Sequence, residues 1–365
     1  MKDLLARRIA NQRLGGPLHG APAEVVTSLG AVQSQDYPGA KWAVGQRVKN
    51  GTDGGVEDAF NRGDILRLHV LRPTWHFVAP RDIRWMVALT GPRVRRVLAT
   101  YDRRLGLDDK VLPRALRIVE RALRDRAFKT RTELAAALKG GGIEARGQML
   151  AHIAAHGELT ALICSGPQRG KQSTYALVEE RAAPAAPLAR DEALAELTRR
   201  YFTSHGPATT RDFVWWSGLT VSDARRGLEI AGAKKVAGDD GLTYWLVASR
   251  RAPVEATGTV HLLPNYDEYV VAYQDRGSIG AAAFGTLVAE QRVDLFGYYV
   301  VVDGKLVGSW RRVFGAGSVT VRVHLHSRQP AAVRDRIADA AARFGTFLGV
   351  PANVEFGRHK PDKPL

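Results

Sequence analysis

Few residues in this 365-residue chain have the types and spacing that do chemistry. Asp267 and Glu268 follow Pro264-Asn265-Tyr266. Adjacent carboxylates can serve acid/base work or hold a metal. No second acidic or histidine cluster stands near them in sequence, so a structural turn is the competing reading. His324 and His326 fall on one face of an expected strand, and two ligands do not make a zinc site. Cys164 is the lone cysteine and can form no intrachain disulfide. His76, between Trp75 and Phe77, reads either as a contact to phosphate or sugar or as a buried strand histidine. Gln33 and Gln35 flank Ser34. By residue type alone, one caps or covers a helix and the other is solvated. Glycine-rich phosphate loops, dinucleotide fingerprints and nucleophile elbows are not found. No metal and no cofactor is implied.

Charge points to a partner. The net charge is +16, and residues 62–131 alone hold 18 Lys and Arg against 7 Asp and Glu. A charge gathered in one segment suggests a polyanion-binding face rather than general solubility. Arginine dominates it, which suits forked contacts to phosphate. Arg72 and Thr74 adjoin an expected turn and are candidates for backbone phosphates. Arg93, Arg95 and Arg96 crowd the chain after Pro92 and are further phosphate candidates, with a solvated helix face as the alternative. Residues 1–8 lack the apolar run of a secretory signal, and no apolar run approaches membrane-spanning length. A cytoplasmic, nucleoid-associated protein without a membrane partner is expected.

The elements that must position these residues follow a repeated order. The apolar spacing predicts a helix over 22–36, with Val25, Val26, Leu29 and Val32 on one face. Strands are expected in 65–78 around a turn at Arg72-Pro73-Thr74. Helices follow near 81–104, broken at Gly91-Pro92, and over 111–127. Helix, turn, helix and strand hairpin then recur over 130–178 and again over 191–247. That is the order of a winged helix. A linker is expected at 181–190, and the chain turns strand-rich from about 254. There Asp303-Gly304 fits a tight hairpin turn. The expected domains are 1–110, 111–180, 190–250 and a β-rich module over 254–365. The fold class is α+β.

Three segments together carry a resemblance. They are Leu29-Gly30-Ala31-Val32-Gln33-Ser34-Gln35-Asp36-Tyr37, Leu71-Arg72-Pro73-Thr74-Trp75-His76-Phe77-Val78 and Leu262-Leu263-Pro264-Asn265-Tyr266-Asp267-Glu268-Tyr269. In this order, with winged-helix patterns between the second and third, the chain resembles the AlkZ/YcaQ family of winged-helix DNA glycosylases. The resemblance implies three tandem winged helices and a β-rich C-terminal part, C-shaped around duplex DNA. It implies a monofunctional enzyme, a monomer, that hydrolyses the N-glycosidic bond of alkylated, possibly crosslinked, bases. The family's catalytic motif is Gln, a hydrophobic residue, then Gln or Asp. It maps onto Gln33, Ser34 and Gln35, with Ser34 departing from the hydrophobic middle.

Two carboxamides suit this chemistry. Alkylation at N7 makes guanine cationic and a good leaving group, so its protonation is unnecessary. What is left is to aim a water at C1′ and to face a dipole towards the developing sugar cation. Residues two apart diverge on a helix, so this role requires the helix to have unwound at Gln33. A non-catalytic winged-helix DNA-binding protein is the alternative function.

Overall fold

The computed structural model describes residues 3–247, 258–280 and 297–357. The proposed start of the C-terminal module, at 254, lies outside them. After α1 (Leu4–Asn11), the chain runs through α2 (Pro22–Leu29), β1 (Val32–Gln33), α3 (Tyr37–Gly45), α4 (Asp53–Arg62), β2 (Leu66–Val70) and β3 (Arg72–Val78). The strands form an antiparallel sheet in the order β1-β3-β2. The same sequence of elements recurs in α6 (Val111–Leu123), β4 (Lys129–Thr130), α7 (Arg131–Gly140), α8 (Gly147–Glu158), β5 (Ile163–Arg169) and β6 (Gln172–Leu177). Its sheet order is again first, third, second. It recurs once more in α10 (Arg190–Ser204), α11 (Thr210–Ser217), α12 (Val221–Ile230), β7 (Lys234–Ala237) and β8 (Thr243–Leu246), where a single bridge between Ala208 and Trp245 stands in for the first strand. Between the first two units lies α5 (Ile83–Arg104), and α9 (Val178–Arg181) follows the second.

Local chemistry explains several starts and stops. Thr130, Thr209 and Thr220 each cap a helix and are answered three residues later by Glu133, Asp212 and Asp223 in reciprocal capping boxes. Thr52 caps α4, and Gly63 closes it in the left-handed conformation.

Three expectations need correction. The helix over 22–36 ends at Leu29, because Gly30 takes φ 85° and turns the chain into β1. Its apolar spacing continues past the true end because Val32 is buried as a strand residue. The helix over 83–104 is not broken at Gly91-Pro92 but runs through Pro92 for 22 residues. The hairpin turn lies at Leu71, with φ 63°, and Arg72, Pro73 and Thr74 belong to β3. Pro73 is tolerated there because β1 pairs only with His76 and Phe77 farther along the strand.

The C-terminal part holds β9 (Val260–Leu263), α13 (Glu268–Val271), β10 (Tyr299–Val302), β11 (Lys305–Gly315), β12 (Ser318–Leu325), α14 (Ala331–Leu348) and β13 (Ala352–Phe356). Its sheet runs β13-β12-β11-β10-β9, with β12 and β13 parallel. Asp303 and Gly304 have φ 49° and 79°, as a two-residue hairpin of mirror-image type requires.

The cores show why β1 sits where it does. The middle unit, from α6 to β6, has an apolar core largely its own. The first unit divides its apolar surface. Val25, Val32, Trp42 and Phe60 pack with Trp310, Val321, Phe344 and Phe347 of the C-terminal part. Leu66, Leu68 and Leu71 pack with Leu194, Phe213 and Trp216 of the third unit. The short strand bearing Gln33 therefore lies at a junction of the first unit, the third unit and the C-terminal part.

Candidate active site

The backbone from Ala31 to Asp36 is not helical, so the condition set by the Gln33–Gln35 spacing is met. β1 pairs Gln33 with His76 of β3, and the Ser34 N–H donates to the Trp75 carbonyl at 2.7 Å. Gln33 is held at two points. Its backbone N–H donates to Glu268 Oε1 at 2.8 Å, and its side-chain Oε1 accepts from Arg72 Nη2 at 2.9 Å. An amide oxygen has two lone pairs, so one stays available after the Arg72 bond. Gln33 is only 5% exposed, whereas Gln35 is exposed and makes no hydrogen bond to a described residue.

Ser34 is fully buried and its hydroxyl has no partner. The middle of the motif thus faces the interior, which is why a hydrophobic residue suits that position. Its carbonyl accepts from Arg67 Nε and Nη2 at 3.1 and 3.0 Å. Arg67 in turn lies 4.6 Å from the Trp75 ring centre. Asp36 does not join the glutamine pair. Its carboxylate accepts from the Tyr298 hydroxyl and lies 3.9 Å from Arg312, both in the C-terminal part.

The carboxylates Asp267 and Glu268 are both fully buried. Asp267 makes a two-pronged ion pair with buried Arg47, at 2.8 and 2.9 Å. Glu268 Oε2 accepts from Trp216 Nε1 at 2.9 Å, while Oε1 holds Gln33. This matches the structural reading of the pair, but Glu268 also positions the motif strand directly. Sequence reasoning missed that role because the partners stand 52 and 235 positions away. Of the adjacent tryptophans, Trp216 is buried and Trp215 is 39% exposed.

Arg72 is the cation that bonds the Gln33 carboxamide. Burial works against its charge, and the neighbouring Glu268 carboxylate offsets that effect. Its Nε is buried without a partner, as are Thr74 Oγ1 and His76 Nε2. His76 thus stands beside Gln33 in the sheet and is closed to solvent, and the Thr74 hydroxyl is buried although its residue is half-exposed. His76 is fully buried, with Nδ1 3.0 Å from the Thr74 carbonyl. Burial, with the Arg72 charge next, pushes its pKa well below the usual histidine value. A neutral, enclosed imidazole offers no charge to a phosphate. Arg93, Arg95 and Arg96 are exposed on α5 and make no ion pair with a described residue.

A pH dependence follows from the buried imidazoles. Burial, with the Arg343 and Arg47 charges, brings His261 of β9 down to about 4. In the unfolded chain a histidine takes its proton near pH 6.5. The unfolded state then binds more protons, so these groups leave stability whole above about pH 6.5 and lower it as the pH falls towards 4. Urea midpoints measured from pH 7.5 to 4.5 should decline, and His261→Asn should flatten the decline. An unchanged slope in that variant would refute the assignment.

A family described as DNA glycosylase AlkZ-like matches residues 26–347. The chain belongs to the AlkZ-like DNA glycosylase family. It is accordingly an enzyme that acts on N-glycosidic bonds in DNA. An interstrand DNA cross-link repair glycosylase of Streptomyces sahachiroi is 23% identical over 348 residues, covering 86% of this chain and 88% of that protein. The solved structure of Streptomyces sahachiroi DNA glycosylase AlkZ superposes with a TM-score of 0.77 at 20% identity, covering 98% of this chain and 99% of the other. That likeness is one of fold, the mixed α/β architecture included. Among the described residues, no helix is long and apolar enough to cross a membrane.

Proposed function

We propose that this AlkZ-like glycosylase releases N7-alkylated guanines from duplex DNA by hydrolysis, with the attacking water placed by Gln33 and Gln35. The single observation that carries this reading is the way Gln33 is fixed. Glu268 holds its backbone and Arg72 its carboxamide oxygen, beside an exposed Gln35 that makes no hydrogen bond to a described residue. A fixed amide dipole needs no reorganisation as charge develops, which is how preorganised groups lower a barrier. Neutral carboxamides are weak bases, so the base that leaves must already be cationic. The name of the Streptomyces sahachiroi relative supports including crosslinked guanines among the substrates.

The three repeats of helix, strand, helix, helix and hairpin are each a winged helix on this reading, within 1–110, 111–180 and 190–250. The module over 254–365 completes a C-shaped monomer around duplex DNA in the cytoplasm, at the nucleoid. Arg93, Arg95 and Arg96 hold phosphates on the α5 face. Arg72 acts through Gln33, and Thr74 and His76 support it from the paired strand.

A duplex containing N7-methylguanine tests the reading. The wild-type protein is expected to release the free base, detected by chromatography and mass spectrometry. Tight binding of that duplex with no base release would leave a DNA-binding protein without the proposed chemistry.

A further inference from the structure

Beside the motif lies an open cleft of about 510 Å³, bounded by β3, α5, α11 and α12. That volume is in the range of small-molecule sites. Its walls are mostly apolar, from Val94 and Val97 of α5 to Val214, Trp215 and Val221 across from them. Three of these side chains are unusually open for apolar groups. Val97 is 60% exposed, Val221 48% and Trp215 39%. Exposed apolar residues scattered singly mean little, but several gathered in one concavity mark a binding surface.

The cleft shares a wall with the catalytic motif. Arg72 lines it, and the same guanidinium donates to Gln33 Oε1 at 2.9 Å and lies 5.8 Å from the Trp215 ring centre. Arg276 lies 5.7 Å from that ring, and Trp215 Nε1 is fixed by the Val271 carbonyl at 2.9 Å. The indole is therefore held in place, partly exposed, with two guanidinium groups near its ring. Arg93 and Arg211 are exposed at the cleft, and no carboxylate among the described residues lines it.

We propose that this cleft receives a flat, uncharged apolar substituent carried on N7 of the damaged guanine, stacked on Trp215. The proposal rests on the reading that Gln33 and Gln35 face the sugar of that nucleotide. Charge and shape select the occupant. Of the three arginines at the cleft, Arg72 is committed to Gln33 Oε1 while Arg93 and Arg211 are exposed, so phosphates belong at those two on the DNA face. A cationic substituent meets only arginines. A nucleobase needs partners for its hydrogen-bonding edge, and among the described residues Gln274 is the one neutral polar side chain lining the cleft. A flat apolar group needs only the indole, the guanidinium plane and the valines.

The test compares two duplexes, one with N7-methylguanine and one with N7-benzylguanine, under single-turnover conditions. The readout is the ratio of the benzyl to the methyl release rate. Trp215→Ala should lower that ratio by about tenfold, the loss expected from removing one stacking platform. Val97→Asp, at an exposed position whose change threatens no core, should lower the ratio similarly by charging the opposite wall. An equal loss on both duplexes, or no loss, would make the cleft an ordinary part of the DNA face and overturn the proposal. If the wild type releases neither base, the glycosylase reading fails first and the subsite fails with it.

Discussion

Truncating Glu268 to alanine will cost about 3–5 kcal/mol of folding stability, the penalty for removing one member of a buried charged network. Glu268 is fully buried at the head of α13 and serves two donors from separate parts of the chain, the Gln33 backbone N–H and Trp216 Nε1. Removing it strands both, and each buried group left unpaired costs about 1–3 kcal/mol. It also removes the carboxylate that offsets the burial of the Arg72 charge. Glu268→Gln separates these contributions. Its amide oxygen can still accept from Gln33, but its NH₂ would face the Trp216 N–H, two donors in opposition. That variant should fold with a smaller loss and show slower base release, because Arg72 loses the carboxylate that offsets the burial of its charge. Urea unfolding and base-release rates on the same preparations measure both. A Glu268→Ala protein within about 1 kcal/mol of wild type would show that the network does not hold the junction.

The repeat of element types was legible in the sequence, because capping residues and apolar spacing are local signals. Thr130 with Glu133 and Thr209 with Asp212 mark helix starts within four residues. The end of α2 was not legible in the same way. Val32 continues a helical spacing by chance, and only the left-handed Gly30 decides the matter. Pro92 misled in the opposite direction, since α5 absorbs it without breaking. The glutamine pair was legible only through resemblance, as two carboxamides carry no chemical signature of their own. What fixes Gln33 was hidden because it is long-range. Glu268 meets Gln33, and Trp216 meets Glu268, only after the first unit, third unit and C-terminal part have packed together. Asp267 and Glu268 look alike as neighbours in sequence, yet one braces Arg47 and the other the motif strand.

Gln33→Ala is expected to slow release of N7-methylguanine by about 10²–10³-fold, the usual loss when one preorganised dipole at a developing charge is removed. The fold should tolerate it, since the Glu268 contact is to the Gln33 backbone and survives the change. Gln35→Ala should cost about as much, and the double variant little more, because groups that place one water act as a unit. Gln35→Asp asks what a real base adds. A carboxylate there brings negative charge to the developing sugar cation and a titratable acceptor for the water proton. Release should persist at neutral pH and gain an acid limb, falling as the pH drops through about 4, the ordinary aspartate range. The wild type, with two carboxamides, has no such limb from this pair. Rates measured from pH 4 to 8 on the two proteins decide the matter. An acid limb of the same shape in both, or full activity in Gln33→Ala, would remove the carboxamides from the chemistry.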